Sequence, residues 1–325
     1  MRRLAVYLFF ASIALDAKPL IFYRGVFNSA SFAPAGVANG AIARGSIFSI
    51  FGRDLGPEKS PPLSFPLPSS LAGVEVDVCR AGTCLAAIPL FVSAAQVNAI
   101  MPSNAPLGAV SVRVRFNGED GNFIPVTVTD ASVGIFTVNS RGFGPAILQN
   151  FVAQGNTPLN SNVAAAQPGQ VAILWATGLG AAPEADNLPP QGGTLPTQVE
   201  VWVGVEPVTN ILYAGRAPGI AGLDQINFIV PANAPHGCFV PIHVRTNGRT
   251  VSNGVTMAIG DATACKDAHN PLQAPLTMGG RVGALFAQKV TFEADVDPVA
   301  ATTDRPTGRA SRCVRKRRIP TRSTR

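Results

Sequence analysis

The stretch at residues 45–56 reads Gly-Ser-Ile-Phe-Ser-Ile-Phe-Gly-Arg-Asp-Leu-Gly, and residues 169–180 repeat it as Gly-Gln-Val-Ala-Ile-Leu-Trp-Ala-Thr-Gly-Leu-Gly. In both, a dense apolar strand is followed by glycines that let the chain turn sharply away. Four further pieces recur in the same order, at offsets between 124 and 130 residues: 96–102 with 225–231, 104–106 with 233–235, Gly108 with Gly237, and 117–118 with 247–248. A repeat of this length predicts two copies of one sandwich domain rather than a solenoid of roughly 20- to 50-residue units.

Valine recurs at every second position in the segment that follows each apolar strand. The run 74–78 has valine at every second position, with Glu75 and Asp77 between them, and residues 199–205 repeat the valines. A period of two predicts a strand with one buried face and one solvated face. We therefore expect Glu75 and Asp77 to face water.

The composition favours strands over helices along the whole chain. Gly and Pro together supply 60 of the 325 residues, and Val, Ile, Phe and Thr recur in short runs. No twelve-residue run between Tyr23 and Asp304 has the 3.6-residue apolar stripe and the caps of a helix. We expect an all-β protein of two tandem β-sandwich domains.

The chain begins with the layout of a secretory signal peptide. Arg2 and Arg3 precede an almost uninterrupted apolar stretch at residues 4–15, and small residues offer cleavage points after Ala14 or Ala17. We assign residues 1–17 to a signal peptide because this stretch is too short to span a bilayer comfortably; a membrane anchor is the alternative. We expect a secreted or cell-surface protein whose mature chain has no transmembrane segment.

Four of the five cysteines are placed as in a disulfide-bonded, exported protein. Cys79 and Cys84 flank a short polar turn, so a hairpin would bring their sulfurs opposite each other, and Cys238 and Cys265 stand at either end of the last strand pair. We predict that both pairs form disulfides. A zinc site at the first pair would need a second Cys/His pair at ligand spacing, which does not follow, so we predict no metal.

The net charge of +7 belongs to the end of the chain. Residues 305–325 contain nine Lys/Arg and no acidic residue, so residues 1–304, with 17 basic and 19 acidic residues, are close to neutral. The basic run 315–318 could bind nucleic acid by counterion release, but no aromatic residue lies between its charges to stack on bases. We expect residues 266–325 to form an irregular, disordered basic tail, and we expect no nucleic-acid partner.

The order of these motifs resembles the IPT/TIG immunoglobulin-like domain. A more specific set of phrases resembles the Solibacter-type C-terminal domain family of the Acidobacteria, at residues 28–32, 45–52, 67–68, 71–74, 134–136, 176–180 and 213–219. The resemblance covers about residues 25–265. It implies two tandem immunoglobulin-like β-sandwiches, at residues 20–131 and 132–265, on an exported protein. It implies no activity, because the family has no established one to carry over.

No catalytic constellation is visible in the sequence. There is no Gly-x-Ser-x-Gly elbow near a histidine, no Walker loop and no dinucleotide fingerprint, so we predict no enzyme and no cofactor. We assign structural or surface roles to the three histidines, His236, His243 and His269. The carboxylate pairs fall on solvated strand faces, turns or loops: Glu75 with Asp77, Glu119 with Asp120, Glu184 with Asp186, and Asp295 with Asp297.

Two segments suggest ligand binding. Residues 213–222 form a Gly-rich loop that carries Tyr213 and Arg216, a pair able to hold a sugar or a carboxylate. Trp202 occupies the polar phase of its strand, where an exposed indole could stack on a glycan ring. The alternative interpretation places Tyr213 and Trp175 in the domain core and has Arg216 hold a loop carbonyl.

We therefore predict a non-enzymatic, extracytoplasmic module with a structural, adhesion or carbohydrate-binding role. Its expected partner is an extracellular polysaccharide or a surface protein. Two alternatives stay open. One is an accessory binding protein of a separate secreted enzyme, and the other is a cryptic glycoside hydrolase whose carboxylates converge at the domain cleft.

Overall fold

A computed structural model describes residues 18–267, and none of them is helical. The predicted all-β class is confirmed. Within this range no helix could cross a membrane. The predicted signal peptide at 1–17, residues 268–325 of the predicted tail, and the pair Asp295 and Asp297 lie outside the described residues.

The first ten strands form one sandwich, which we call the first sandwich. Its two layers are β1–β3–β7–β6 and β5–β8–β10–β2. Strand β6 joins the layers because it is long enough to pair with both β7 and β5. Pairing is antiparallel except between β2 and β10. The strands are β1 (Leu20–Asn28), β2 (Ile42–Ala43), β3 (Ile47–Arg53), β4 (Ser70–Leu71), β5 (Val74–Arg80), β6 (Thr83–Val92), β7 (Gln96–Ile100), β8 (Gly108–Phe116), β9 (Glu119–Asp120) and β10 (Ile124–Thr129).

The remaining strands form the second sandwich. Its layers are β11–β14–β19–β18–β15, with β13 beside β14, and β12–β22–β20–β16–β17, with β21 beside β20. The strands are β11 (Gly134–Ile135), β12 (Gly144–Pro145), β13 (Leu148–Asn150), β14 (Val171–Thr177), β15 (Gly193–Thr194), β16 (Val199–Val203), β17 (Glu206–Pro207), β18 (Ile211–Arg216), β19 (Asp224–Ile229), β20 (Gly237–Thr246), β21 (Thr250–Val251) and β22 (Val255–Ile259).

Both sandwiches have immunoglobulin-like connectivity, as expected. In the first, β1–β3–β7–β6 corresponds to the A-B-E-D layer and β5–β8–β10 to the C-F-G layer. The second repeats this arrangement with β11–β14–β19–β18 and β16–β20–β22. In each, a short strand that follows strand A runs parallel to strand G, as β2 does beside β10 and β12 beside β22. The sequence repeat therefore builds the same strand order twice.

One pair of core positions shows how two divergent sequences fill the same space. Phe48 lies directly opposite Ala99 in the first sandwich, and at the equivalent pair in the second Ala172 lies opposite Phe228. All four side chains are completely buried. The large and the small residue have exchanged strands, so the summed volume is kept. Close-packed interiors tolerate exchanges that conserve volume far better than those that leave a cavity.

Both predicted disulfides are present. Cys79 and Cys84 are directly paired across β5 and β6, and their sulfurs are bonded. Cys238 at the start of β20 is bonded to Cys265 in the segment after β22. The second bridge closes the longer loop, 27 residues against five. In the chain-entropy account the longer loop gives the larger stabilisation, about 3.5 against about 2 kcal/mol.

Asp77 departs from the solvated position predicted for it. It points outward from β5 as the alternation requires, yet it is only 5% exposed. Arg113 and Arg115 of the neighbouring β8 cover it, with Arg113 Nη2 at 2.8 Å and Arg115 Nε at 3.1 Å from Asp77 Oδ2. Long arginine side chains on an outer face can bury a shorter carboxylate beneath them. The strand pattern identifies the face but not what covers it.

The exchanged core pair gives a test of the fold. Phe48→Ala should lower the free energy of unfolding of the first sandwich by about 3–5 kcal/mol, because it leaves a cavity beside Ala99. Adding Ala99→Phe recreates the arrangement of the second sandwich and should restore at least about half of the loss. Urea unfolding of the two variants and of Ala99→Phe alone measures the coupling. Purely additive effects would show that the two positions do not share one space.

Candidate binding face on the outer sheet

Trp175 lies on the outer face of the second sandwich, not in its core. On β14 the inward positions belong to Ala172, Leu174 and Ala176, which are completely buried. Trp175 therefore points outward and is half-buried. Its indole Nε1 donates a hydrogen bond of 2.9 Å to Gln149 Oε1 on the neighbouring β13. This corrects the interpretation that placed Trp175 in the core, and it makes the indole a fixed surface ring.

An open cleft of about 460 Å³ lies against this indole, and we call it the Trp175 cleft. Leu159 and Ile220 in its wall are 44% and 53% exposed. No charged side chain lines it, and its lining is Trp175, Phe136, Ile147, Gln149, Leu159, Ile220 and Leu223. A cleft of this size that combines apolar walls with a few polar groups is typical of small-molecule sites.

Two amide side chains stand beside Trp175 on the same outer face. Gln225 of β19 is directly opposite Trp175, and Asn227 lies between Ile173 and Tyr213. Gln225 Nε2 donates a hydrogen bond of 2.8 Å to Asn227 Oδ1. Within residues 18–267, the side-chain oxygen of Gln225 (Oε1) and the side-chain nitrogen of Asn227 (Nδ2) have no hydrogen-bond partner from the protein. The pair thus offers one acceptor and one donor to a ligand.

The first sandwich carries the same residue types at the equivalent positions. Phe51 of β3 occupies the place of Trp175 in the repeated stretch, and it lies directly opposite Gln96 of β7. Gln96 Nε2 donates to Asn98 Oδ1, again over 2.8 Å. We call Phe51–Gln96–Asn98 and Trp175–Gln225–Asn227 the two outer triads. The sequence alone assigned no binding role to these six residues, and the structure places their half-buried side chains on the outer faces of the two sandwiches.

Trp202 lies on the other layer of the second sandwich. It is half-buried, and its ring stacks on His243 of β20 with centroids 5.3 Å apart and planes inclined by 4°. The Arg245 guanidinium stands 4.6 Å from the centroid of the same ring and pairs with Glu200. Burial and the positive charge of Arg245 lower the pKa of His243, so the stacked imidazole is neutral at neutral pH. Trp202 therefore already contacts two side chains of its own sheet.

Arg216 is turned into the protein rather than toward a ligand. It is 3% exposed, with Nη1 at 2.7 Å from Asp224 Oδ1 and Nη2 donating to the Gly180 carbonyl over 2.7 Å. Tyr213 stands on the outer face, where its hydroxyl donates to the Arg216 carbonyl and accepts from the Gly193 amide. Arg216 thus holds a loop carbonyl, and Tyr213 links the end of β18 to Gly193 of β15.

The two sandwiches are hydrogen-bonded where they meet. Asn28 Nδ2 donates to the carbonyls of Ser132 and Thr177, and the Ile47 amide donates to Thr177 Oγ1 over 2.9 Å. Gly45 stands against Arg216 at this contact. A Cβ at Gly45 would lie 2.8 Å from Arg216 Nη2, and its φ of +66° also disfavours other residues. The first glycine of the repeated stretch is therefore needed for this contact.

The carboxylates at the contact between the sandwiches are hydrogen-bonded within the protein or have little open space beside them. Asp186 accepts hydrogen bonds from the Ser103 amide at 2.8 Å and from its hydroxyl at 2.6 Å. Asp186 and Glu184 line a cavity of only about 10 Å³, which has room for about one water molecule and none for a sugar ring. Among residues 18–267, no group of three His, Cys, Asp or Glu side chains is placed to hold a metal ion.

Comparison with known proteins gives structural likenesses alone. No family model and no curated protein matches the chain. SGBP-B of the Bacteroides ovatus mixed-linkage glucan utilization locus, solved with a mixed-linkage heptasaccharide, is 10% identical, with a TM-score of 0.29 over 69% of this chain and 44% of that one. SGBP-B from a complex xyloglucan utilization locus in Bacteroides uniformis is 12% identical, with a TM-score of 0.24 over 74% and 49%.

A third likeness is to the two immunoglobulin domains of DIP-gamma, at 15% identity and a TM-score of 0.18 over 76% of this chain and all of that one. The chain spans less than half the length of either SGBP-B protein. TM-scores this low carry no argument about what this chain binds. The immunoglobulin-like assignment rests on the strand order of the two sandwiches.

The buried Arg216–Asp224 pair gives a pH-dependent prediction. Burial raises the pKa of Asp224 from 3.8 to about 6, against the opposing pull of Arg216 and of the Leu179 and Gly178 amides. The folded protein therefore keeps this proton to a higher pH than the unfolded chain does. The contribution of Asp224 to the free energy of unfolding is greatest below about pH 4 and falls by about 3 kcal/mol as the pH rises past about 6.

The measurement compares wild type with Asp224→Asn by chemical unfolding across this pH range. The stability of wild type relative to the variant should decline as the pH rises, because only wild type carries the titrating group. An ordinary exposed ion pair would give the opposite slope. A difference that is constant or that grows with pH would contradict the assignment.

Proposed function

We propose that this protein is a non-catalytic, extracytoplasmic module that binds a neutral polysaccharide at the Trp175 cleft and the adjoining Gln225–Asn227 pair. The observation that carries the proposal is the combination of a fixed, half-buried indole in an uncharged cleft with an adjoining pair of amide side chains that keeps a free acceptor and a free donor. Each part has a counterpart in the chemistry of a sugar ring.

A pyranose ring presents an apolar face of C–H groups and a rim of hydroxyls. The indole of Trp175, held at its nitrogen by Gln149, offers a flat apolar surface for the ring face. The Gln225 carbonyl and the Asn227 amide nitrogen offer an acceptor and a donor to the hydroxyls. A few oriented polar groups around an apolar surface are what gives such sites their specificity.

The absence of charge in the cleft favours a neutral glycan over an acidic one. None of the residues that line the Trp175 cleft ionises. The nearby Arg216 is buried and paired with Asp224, so its charge is compensated within the protein. An anionic polysaccharide would lose its hydration at this face without gaining a cation in return.

The same proposal places the protein outside the cytoplasm. Two disulfides are the expected chemistry of an oxidising compartment. The signal-peptide layout of residues 1–17 and the resemblance to the Solibacter-type C-terminal domain family support it at the level of sequence. The basic residues beyond position 304 have no role in this proposal.

A rigid spacer is the second candidate function, in line with the structural or adhesion role predicted from the sequence. The hydrogen bonds of Asn28, Ile47 and Ser103 across the contact between the sandwiches favour it, because they would hold two modules in one fixed orientation. A spacer of this kind could also serve as the accessory partner of a secreted enzyme. It differs from the first proposal in requiring no glycan.

The first experiment is a binding screen of the full-length, oxidised protein against neutral polysaccharides, with acidic polysaccharides beside them. Trp175→Ala should weaken binding to a neutral polysaccharide at least about tenfold, or about 1.4 kcal/mol, because the stacking surface is lost. Trp202→Ala is the matched control and should bind within about twofold of wild type, since Trp202 lies on the opposite layer. No saturable binding by a cooperatively folded sample would leave the spacer as the function.

The two tryptophans allow a direct optical test. Trp202→Phe leaves Trp175 as the only tryptophan of the chain. Its emission should shift to the blue on titration with the polysaccharide that binds, because a sugar ring stacked on the half-buried indole removes the remaining water from it. The Trp175→Phe variant, which keeps Trp202 alone, should show no shift. A shift in the second variant and none in the first would place the ligand on the other layer.

A further inference from the structure

A second cleft lies on the same face of the molecule, across the contact between the sandwiches. Its volume is about 350 Å³, and it is lined by Ser49, Gln96 and Asn98 of the first sandwich and by Phe136 and Ile147 of the second. Like the Trp175 cleft, it has no charged side chain in its lining. It contains the two amides of the first outer triad.

The two clefts meet at Phe136 and Ile147. Both residues line the Trp175 cleft and the second cleft, so the two depressions share a wall. Both side chains are half-buried and belong to the second sandwich. A ligand that extends from one cleft across these two side chains therefore enters the other cleft.

The polar groups of the second cleft are held in place by the protein itself. Asn98 Oδ1 accepts hydrogen bonds from Gln96 Nε2 at 2.8 Å and from Ser49 Oγ at 2.9 Å, and Ser29 Oγ lies 2.8 Å from Ser49 Oγ. In the part of the chain that the structure describes, neither the side-chain nitrogen of Asn98 (Nδ2) nor the side-chain oxygen of Gln96 (Oε1) has a protein partner. The same donor and acceptor are therefore presented here as at Gln225 and Asn227.

The first triad differs from the second in its aromatic member. Phe51 packs against Phe27 and Phe32, with ring centroids 6.0 and 6.2 Å away, whereas Trp175 lines an open cleft. Of the three phenylalanines, Phe32 is the one that lines the second cleft. The first sandwich is thus better suited to hydrogen-bond a sugar than to stack on it.

From this geometry we infer that the second cleft is a further subsite for the same ligand, so that one extended neutral glycan chain lies across both sandwiches. The inference rests on the proposed function of the Trp175 cleft. It names the ligand class more narrowly, as a chain recognised over several consecutive sugar units rather than at one end or one ring. The subsite in the first sandwich contributes hydrogen bonds, and the subsite in the second contributes stacking as well as hydrogen bonds.

The contact between the sandwiches makes such a ligand favourable. Asn28 donates to carbonyls at Ser132 and Thr177, and the Ile47 amide donates to the Thr177 hydroxyl. These bonds fix the two subsites relative to each other before the ligand arrives. A preorganised second contact costs little further entropy and adds to affinity as an intramolecular event.

The test uses the full-length protein and oligosaccharides of increasing length, cut from the neutral polysaccharide that binds best. Isothermal titration of wild type should show an affinity that rises at least about tenfold between the shortest oligomer that binds and one about three times longer. The double variant Gln96→Ala/Asn98→Ala should lose that gain and still bind short oligomers within about twofold of wild type. Thr127→Ala, on the opposite layer of the first sandwich, is the matched control and should keep the gain.

Asn98→Asp is a second variant that tests the inference if the double variant does not fold. It keeps the shape of the side chain and its acceptor for Ser49 and Gln96, and it removes the donor, so it should lose most of the gain. An affinity independent of chain length, or a long oligomer bound equally well by wild type and both variants, overturns the inference. If Trp175→Ala leaves the binding of short oligomers unchanged, the proposed function fails instead, so the two failures are distinct.

Discussion

Each strand of a sandwich turns only one of its two faces to the core, and this constraint decides both the core and the candidate binding face. On β14 the positions of Ala172, Leu174 and Ala176 are used for packing, so Trp175 must point outward. On β19 the same alternation buries Ile226 and Phe228 and leaves Gln225 and Asn227 outside. The candidate site is therefore made from the positions that the core does not use.

The repeat shows which features the fold needs and which it does not. The core holds Phe48 opposite Ala99 in the first sandwich and Ala172 opposite Phe228 in the second. This exchange is tolerated because the summed volume of the pair, rather than the identity of each residue, matters in a packed core. The outer Gln-x-Asn pair keeps both its residue types and its 2.8 Å hydrogen bond in the two sandwiches, although an outer face makes no packing demand of that kind. We therefore treat the core pair as a structural feature and the repeated Gln-x-Asn pair as a candidate binding feature.

Much of the fold could be predicted from the sequence, and less of the site. The alternating valines of residues 74–78 and the spacing of Cys79 and Cys84 are local, so they predict a strand and a bridged hairpin without further information. Trp175 could not be placed, because both phases of its strand are apolar and the pattern does not tell core from surface. Gln225 and Asn227 could have been, since they alternate with Ile226 and Phe228 and so belong to the solvated phase.

The sequence by itself determined the all-β class, the duplication, the two disulfides and the strand phases that carry valine. Only the tertiary structure decided which outward residues are covered and which are open. Asp77 is buried under arginines of another strand, Arg216 is turned against Gly45 of the other sandwich, and Phe136 joins two clefts. These outcomes depend on side chains far apart in the chain, whose meeting is fixed by sheet register and by the contact between the sandwiches, and no local pattern encodes that.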